Sequence, residues 1–459
     1  MFAPMLPRFV VILATLTACA SNATQSISLY EAGKYEAAAK AANEGLAAHP
    51  DDAALWGMRV RSAVALGKPE DISRAYGDYV AKRGSDDHEL LRDLSNATLE
   101  QAIASPSTTL KLRAIATIEE LELGDLAEDV GQAMNDEDER VQAAAAVAVI
   151  HGFAQAAHVA ADMLHADNPE ARRIALDGVA KKIGKIALPD IEKGATDRDP
   201  RVRAVAVRWL GHYKDVDAVT VCTKRLHDPD ENVRAAAATA LAQIGLGDIA
   251  AVAKRALADK ALVVRLAGVG VLASSNAQAD YDKLVALADD PDALVALEAA
   301  IAVKKAHPEL ATKAVQRAIA SGEWTVRAGA ANSLTRALDK ADAIATARTL
   351  TADPELAVRL AAARVLAHAG DVADATVVFV AALSDVDAAA DLGALGDPRG
   401  VASLDALSSD PKRTPEQRAA AISAHRTAHR VTPTLVAALA DASGLVRVEA
   451  AATLAALAK

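Results

Sequence analysis

Apolar residues recur every three or four positions in one short stretch after another, and acidic turns separate the stretches. Asp228 to Gly245 shows the full pattern. Val233, Ala237, Leu241 and Ile244 fall on one stripe of a 3.6-residue helix. Asp228-Pro229 supplies a start signal: an N-capping acid, then the residue that fits the first helical position. Gly245 can take the left-handed conformation that closes a helix. The stretch therefore predicts one amphipathic helix with a defined start and stop.

Aligned on Arg234, related helices centre on Arg113, Gln142, Arg173, Arg203, Arg265, Ala296, Arg327, Arg359, Arg418 and Arg447, at intervals of 31 residues from Arg203 to Arg327. The third residue after the reference position (+3) is mostly small, and +7 is leucine at Leu210, Leu241, Leu272, Leu334, Leu366 and Leu454. Shorter apolar segments such as Ile249 to Leu257 lie between, followed by turns such as Asp199-Pro200 and Asp353-Pro354. Each unit thus predicts helix A, a tight turn and helix B. One unit cannot bury its apolar face alone, but stacked units bury it against each other. Nothing alternates with hairpin turns as strands would. The predicted fold is all-α: an α-solenoid of stacked antiparallel helix pairs over residues 87–459, in eleven or twelve hairpins. The unit at Asp385 to Gly396 lacks the Val-Arg pair, which predicts a kink or offset. Leu392-Gly-Ala-Leu-Gly-Asp-Pro-Arg-Gly-Val401 resembles the linker of short HEAT-like repeats of the phycobilisome-lyase type.

The chain before residue 87 reads differently. Gly33-x-Tyr35-x-x-Ala38 with Leu46 and Pro50 resembles part of a tetratricopeptide repeat, with Trp56 and Gly67 continuing it one 34-residue period later. The second copy is degenerate. Residues 19–86 therefore predict a short tetratricopeptide-like helical region that caps the longer array. Before it, Arg8 and the apolar Phe9 to Ala18 form a segment too short to span a bilayer permanently. Leu16-Thr17-Ala18-Cys19 resembles a bacterial lipobox. That resemblance implies a signal peptide at residues 1–18, lipid on Cys19, and a place in the cell envelope. With Ala20 rather than aspartate next, it implies the outer membrane, facing the periplasm.

Composition narrows the partners. Hydrophobic residues make up 52% and aromatics only 3%, so alanine fills the space between closely spaced helices. A net charge of −11 argues against non-specific nucleic-acid binding, which needs a basic face. Cys222 sits in an apolar run, and two cysteines make no disulfide framework. Phosphate loops, nucleophile elbows and zinc spacings are missing. Only His88-Glu89 pairs as in deoxyhypusine hydroxylase, a HEAT-like di-iron enzyme. His425 and His429 are four apart, but no third ligand completes a metal set. No cofactor is expected.

The sequence thus predicts a non-enzymatic protein-binding scaffold. The competing reading is a HEAT-like enzyme or accessory, of lyase type, acting on a bound cofactor or protein. The arginine column (Arg113, Arg173, Arg203, Arg234, Arg265, Arg327, Arg359, Arg418, Arg447) is expected to pack along the stack and pair with loop acids. Positions +2, +5 and +9 of helix B point away from the core stripe. HEAT-like architecture would put them on the concave face. Lys182, Arg208, Lys305, Arg336 and Arg364 in those rows are expected to receive an acidic protein segment. The final helix, Glu449-AAATLAALAK, has few polar residues, and an exposed edge there would support self-association or the docking of a partner.

Overall fold

The computed structural model describes residues 22–459, and it separates into two compact units. One joins the chain up to Leu126 with Leu383–Lys459, and the other is Ala127–Ala382. Cys19 and residues 1–18 lie outside the described residues. The junction near residue 86 falls inside the first unit.

The first unit begins with α1 (22–31), α2 (Tyr35–Ala48), α3 (Ala53–Leu66), α4 (Pro69–Arg83), α5 (His88–Ile103) and α6 (Thr108–Leu121). The second unit is an uninterrupted stack. It contains α7 (Ala127–Gln132), α8 (Glu139–Ala148), α9 (Ala156–Met163), α10 (Pro169–Ile183), α11 (Leu188–Gly194), α12 (Pro200–His212), α13 (Val219–Arg225) and α14 (Glu231–Ile244). It continues with α15 (Ile249–Leu257), α16 (Leu262–Ala273), α17 (Gln278–Leu287), α18 (Ala293–Val303), α19 (Pro308–Ile319), α20 (Trp324–Ala337), α21 (Lys340–Leu350), α22 (Leu356–Ala369) and α23 (Val372–Ala381). The first unit is completed by α24 (Val386–Ala394), α25 (Pro398–Ser409), α26 (Pro415–Ala428), α27 (Pro433–Ala437) and α28 (Gly444–Leu457). No strand occurs among the described residues.

In the second unit the even-numbered helices from α8 to α22 are the B helices. Each packs on the next, and the odd-numbered A helices, most of them shorter, pack on the B helices. This is an all-α solenoid. Its core follows from the repeat: Ala206, Ala237, Ala299, Ala330 and Ala362 at +3, and Leu210, Leu272, Leu334 and Leu366 at +7, are fully buried. Small +3 side chains let neighbouring axes approach closely, since helix spacing is set by the side chains at the contact. Between α8 and α10 the approach is closer still: a methyl on Gly178 would fall 2.2 Å from Val147.

The helix starts refine the turn reading. Asp199 caps α12 with Pro200 in its first turn, as the Asp-Pro signal predicts. At α14 the cap is Asp230, two residues later than the Asp228-Pro229 signal. Asp228 is held by the stack instead, as described below.

In the first unit the two ends of the chain meet. Helix α4 packs on α27, and α5 and α6 pack on α28. Leu454 is wholly buried, Arg113 binds Glu449, and His88 Nδ1 lies 3.3 Å from the Ala458 carbonyl. The expectation of an open C-terminal edge is therefore corrected. The polarity that an exposed last helix would need is unnecessary, because α5 and α6 cover it. The irregular unit is compact: Gly400 lies so close to α24 that a methyl there would be 2.3 Å from the Gly393 nitrogen.

Candidate functional site: the exposed face of the B helices

The arginine column runs beside the core. Arg203 donates from Nε and Nη2 to the two carboxylate oxygens of Asp228, at 2.9 and 2.7 Å, and from Nη1 to the carbonyls of Asp197 and Arg198. Arg234 repeats this with Asp259 and with the carbonyls of Asp228 and Pro229. Asp228 therefore accepts one repeat's arginine on its side chain and the next repeat's on its backbone. Its Oδ1 also takes the Asp230 N–H and so shapes the turn. Arg327 joins Asp353 in the same bidentate way, and Arg265 reaches Asp292 through one bond of 2.6 Å. Among the described residues, Arg359 and Arg447 bind only the carbonyl part of the pattern. In the first unit Arg418 pairs with Asp441, and Arg113 with Glu449.

One member of the column is corrected. Arg173 bonds Glu170 on its own helix, whereas Arg172 makes the bidentate bonds to Asp197, both at 2.8 Å. Arg172 also sits 31 residues before Arg203, so strict period rather than the nearest look-alike would have found it. A bidentate guanidinium–carboxylate pair adds geometric specificity as well as energy.

The carboxylates respond to these bonds. Arg234 and Arg327 hold Asp259 and Asp353 below the usual carboxylate range. Burial pushes Asp197 and Asp228 up, but Arg172, Arg203 and the turn N–H groups outweigh it, and both end lower. With their donors engaged in this way, Arg172, Arg203, Arg234 and Arg327 have little capacity to bind an external anion. Burial pushes the Cys222 thiol up to about 12, so it is a packing residue rather than a nucleophile. His425 is fully buried, with Nδ1 at 3.1 Å from the Ala421 carbonyl and Nε2 at 3.2 Å from Asp405. Both ring nitrogens are thus engaged without His429. No group of three metal-ligating side chains occurs among the described residues.

A different face is open. At +9, His212, Gln243, Arg336 and His368 in the last turns of α12, α14, α20 and α22, and Ser274 and Lys305 just past the ends of α16 and α18, are all exposed. At +5, Arg208, Thr239, Gly270 and Asn332 are exposed, and Ile301 and Arg364 are half-buried. These rows form one strip within the second unit.

The five predicted cations are not equivalent on it. Lys305 is exposed. Arg336 is clamped by Glu298 at 2.7 and 3.2 Å. Arg208 stands 3.8 Å from Asp177. Lys182 is half-buried and, with Arg172 as reference, moves to +10, which leaves Lys181 in the +9 row. Lys182 and Arg364 both have interaction partners within the chain. Sequence reasoning missed the two acids. Glu298 occupies +2 of α18, and Asp177 occupies +5 of α10 once the register is corrected. The strip is still net basic in an acidic protein, but part of its charge is already paired.

A cleft of about 320 Å³ opens on this strip between α10, α12 and α14. Asp177, Arg208, Trp209, His212, Ala236, Thr239, Ala240 and Gln243 line it. All stand at +2, +5, +6 or +9 of three successive B helices, so the repeat itself assembles the cleft.

The +3 and +7 packing repeats without interruption through the middle of this unit. Residues 219–304 match the family model described as HEAT repeats. No curated protein matches the chain at a significant level. Among solved structures, the E. coli protein YibA is 18% identical with a TM-score of 0.36, covering 54% of this chain and 96% of its own. An engineered protein is 19% identical with a TM-score of 0.31, covering 75% and 97%. The karyopherin Kap121p, bound to the SUMO protease Ulp1p, is 13% identical with a TM-score of 0.39, covering 86% of this chain and 48% of that one.

Proposed function

We propose that the chain is a non-enzymatic protein-binding scaffold that holds a partner on the exposed strip of its B helices. The observation that carries this reading is the strip itself: six successive B helices present exposed +9 residues, in their last turn or just past it, along one stack. Chemistry needs a few converging groups, whereas this array offers repeated and spaced contacts suited to an extended ligand. The cations Arg208, Lys305, Arg336 and Arg364, with Lys181 at its end, outnumber the acids Asp177 and Glu298 there, which favours an acidic protein segment. Part of each paired cation's interaction would have to be exchanged for a bond to the partner.

The remaining parts of the reading are organisational. Residues 1–18 act as a lipoprotein signal peptide, Cys19 carries lipid, residues 19–86 form a tetratricopeptide-like cap, and residues 87–459 form the HEAT-like array. The scaffold then stands on the envelope, tethered by its N-terminus to the outer membrane. The support is Leu16-Thr17-Ala18-Cys19 following a short apolar run.

A photo-crosslinking amino acid placed at Thr239 or Gln243 in the full chain should trap a protein partner. The same group at Ala250, exposed on α15, should not. Equal trapping at all three positions, or trapping only at Ala250, would refute the strip as the binding face.

A further inference from the structure

The cleft at α10, α12 and α14 has a construction that the rest of the strip lacks. Trp209 stands half-buried in its wall, in a chain with three tryptophans. Its indole N–H donates to Asp177 Oδ1 at 2.7 Å. Tyr213 stacks on it at 5.5 Å, and the Tyr213 hydroxyl donates to the Ala180 carbonyl at 2.6 Å. His212 meets the ring edge-on at 5.0 Å. The indole is therefore held by one hydrogen bond and two ring contacts before any ligand arrives. A fixed aromatic loses little freedom on binding, which is why tryptophan so often anchors interfaces.

The opposite wall is made of small side chains. Ala236 and Ala240 leave the space empty, and α14 comes close because position 211 is glycine: a methyl there would lie 2.6 Å from the Ala240 Cα. The rim is polar. The Arg208 side chain is 63% exposed, and its 3.8 Å approach to Asp177 is loose, since Asp177 is already bonded to the indole. An apolar slot with an under-used guanidinium at its mouth matches an apolar side chain next to a carboxylate.

We infer that this cleft is the specificity subsite of the strip, and that it takes a leucine-sized apolar side chain flanked by aspartate or glutamate in an extended acidic segment. The inference rests on the reading of the strip as an acidic-peptide site. Arg208 pairs with the flanking carboxylate, Trp209 and Ala240 contact the apolar side chain, and Thr239 and Gln243 face the peptide backbone. Net charge elsewhere on the strip supplies attraction without selectivity, and the cleft selects.

The test uses the full chain with Cys19→Ser and two fluorescent pentapeptides: leucine flanked by two aspartates on each side, and the same peptide with serine in place of leucine. The leucine peptide should bind about tenfold tighter, the worth of burying one such side chain. Binding of both should weaken as salt rises. Ala236→Leu, which fills the slot from a half-buried position, should abolish the preference by weakening the leucine peptide about tenfold. Arg208→Ser should weaken both. If both peptides bind with salt dependence but equally, and Ala236→Leu changes nothing, the subsite is refuted while the acidic strip stands. If neither binds, both readings fall. Concentration-dependent dimerisation that Ala236→Leu abolishes would overturn the peptide assignment in favour of a second copy of the chain.

Discussion

Arg203→Met removes one cation from a pair that the stack has taken out of water. The Asp228 side chain is fully buried, and the Arg203 side chain is 10% exposed. Methionine keeps much of the aliphatic stem, so the main loss is electrostatic. Two charge-assisted bonds to the carboxylate and two to loop carbonyls disappear. Removing one partner of a buried pair costs roughly 3–5 kcal/mol, because the other charge stays buried. Here Arg225 still donates to Asp228 at 3.1 Å, which places the expected loss near the lower end, about 3 kcal/mol. Arg265→Met is the control. Its pair with Asp292 is more open, 24% and 28% exposed, and has one bond, so a loss of about 1 kcal/mol or less is expected. Guanidinium unfolding followed by circular dichroism reads both, and hydrogen exchange at the Asp228 to Asp230 turn reads the local effect. The sign of the pH dependence follows. Asp228 is held below its unfolded value of about 3.9, so folding releases its proton. The pair's contribution is complete above about pH 4 and is lost as pH falls through the lower folded value. The gap between wild type and Arg203→Met should therefore narrow in acid. Equal losses in the two variants, or a gap that widens below pH 4, would refute the account.

Other outcomes follow from the same contacts. Arg172→Met should destabilise by about 2 kcal/mol more than Arg173→Met, because only Arg172 crosses to the next repeat; matched melts of the two variants decide it. Gly400→Ala should cost more than about 2 kcal/mol, since the methyl would meet backbone atoms of α24, whereas Gly322→Ala has open space; comparing their denaturation midpoints checks this. In a Cys19→Ser chain the remaining thiol, Cys222, should react with a thiol reagent only after unfolding, because it is fully buried with its pKa pushed up to about 12. Leu454→Glu should unfold the α5–α28 packing rather than dissolve an oligomer, which hydrogen exchange in α5 would register.

Much of the architecture was legible in the chain. The 31-residue period, the alanines at +3 and the leucines at +7 determine helix pairs that must stack, because each pair exposes an apolar stripe that only a neighbour can cover. The same period, applied strictly, identifies Arg172 rather than Arg173. The exposure of +5 and +9 follows from helical geometry once the core stripe is known.

Other features were decided only by packing. No local signal says that α5 and α6 lie on α28, because that contact joins segments more than 300 residues apart in sequence. An apolar final helix reads the same whether solvent, a partner or the chain's own beginning covers it. The pairing of Glu298 with Arg336 likewise crosses two helices, so row-by-row charge counting could not see it. The Trp209 cleft needs three helices at once, with a glycine on one, small side chains on the next and an acid on a third. Sequence period fixes which residues share a face. Tertiary contact fixes which charges on that face are already neutralised, and where it is hollow.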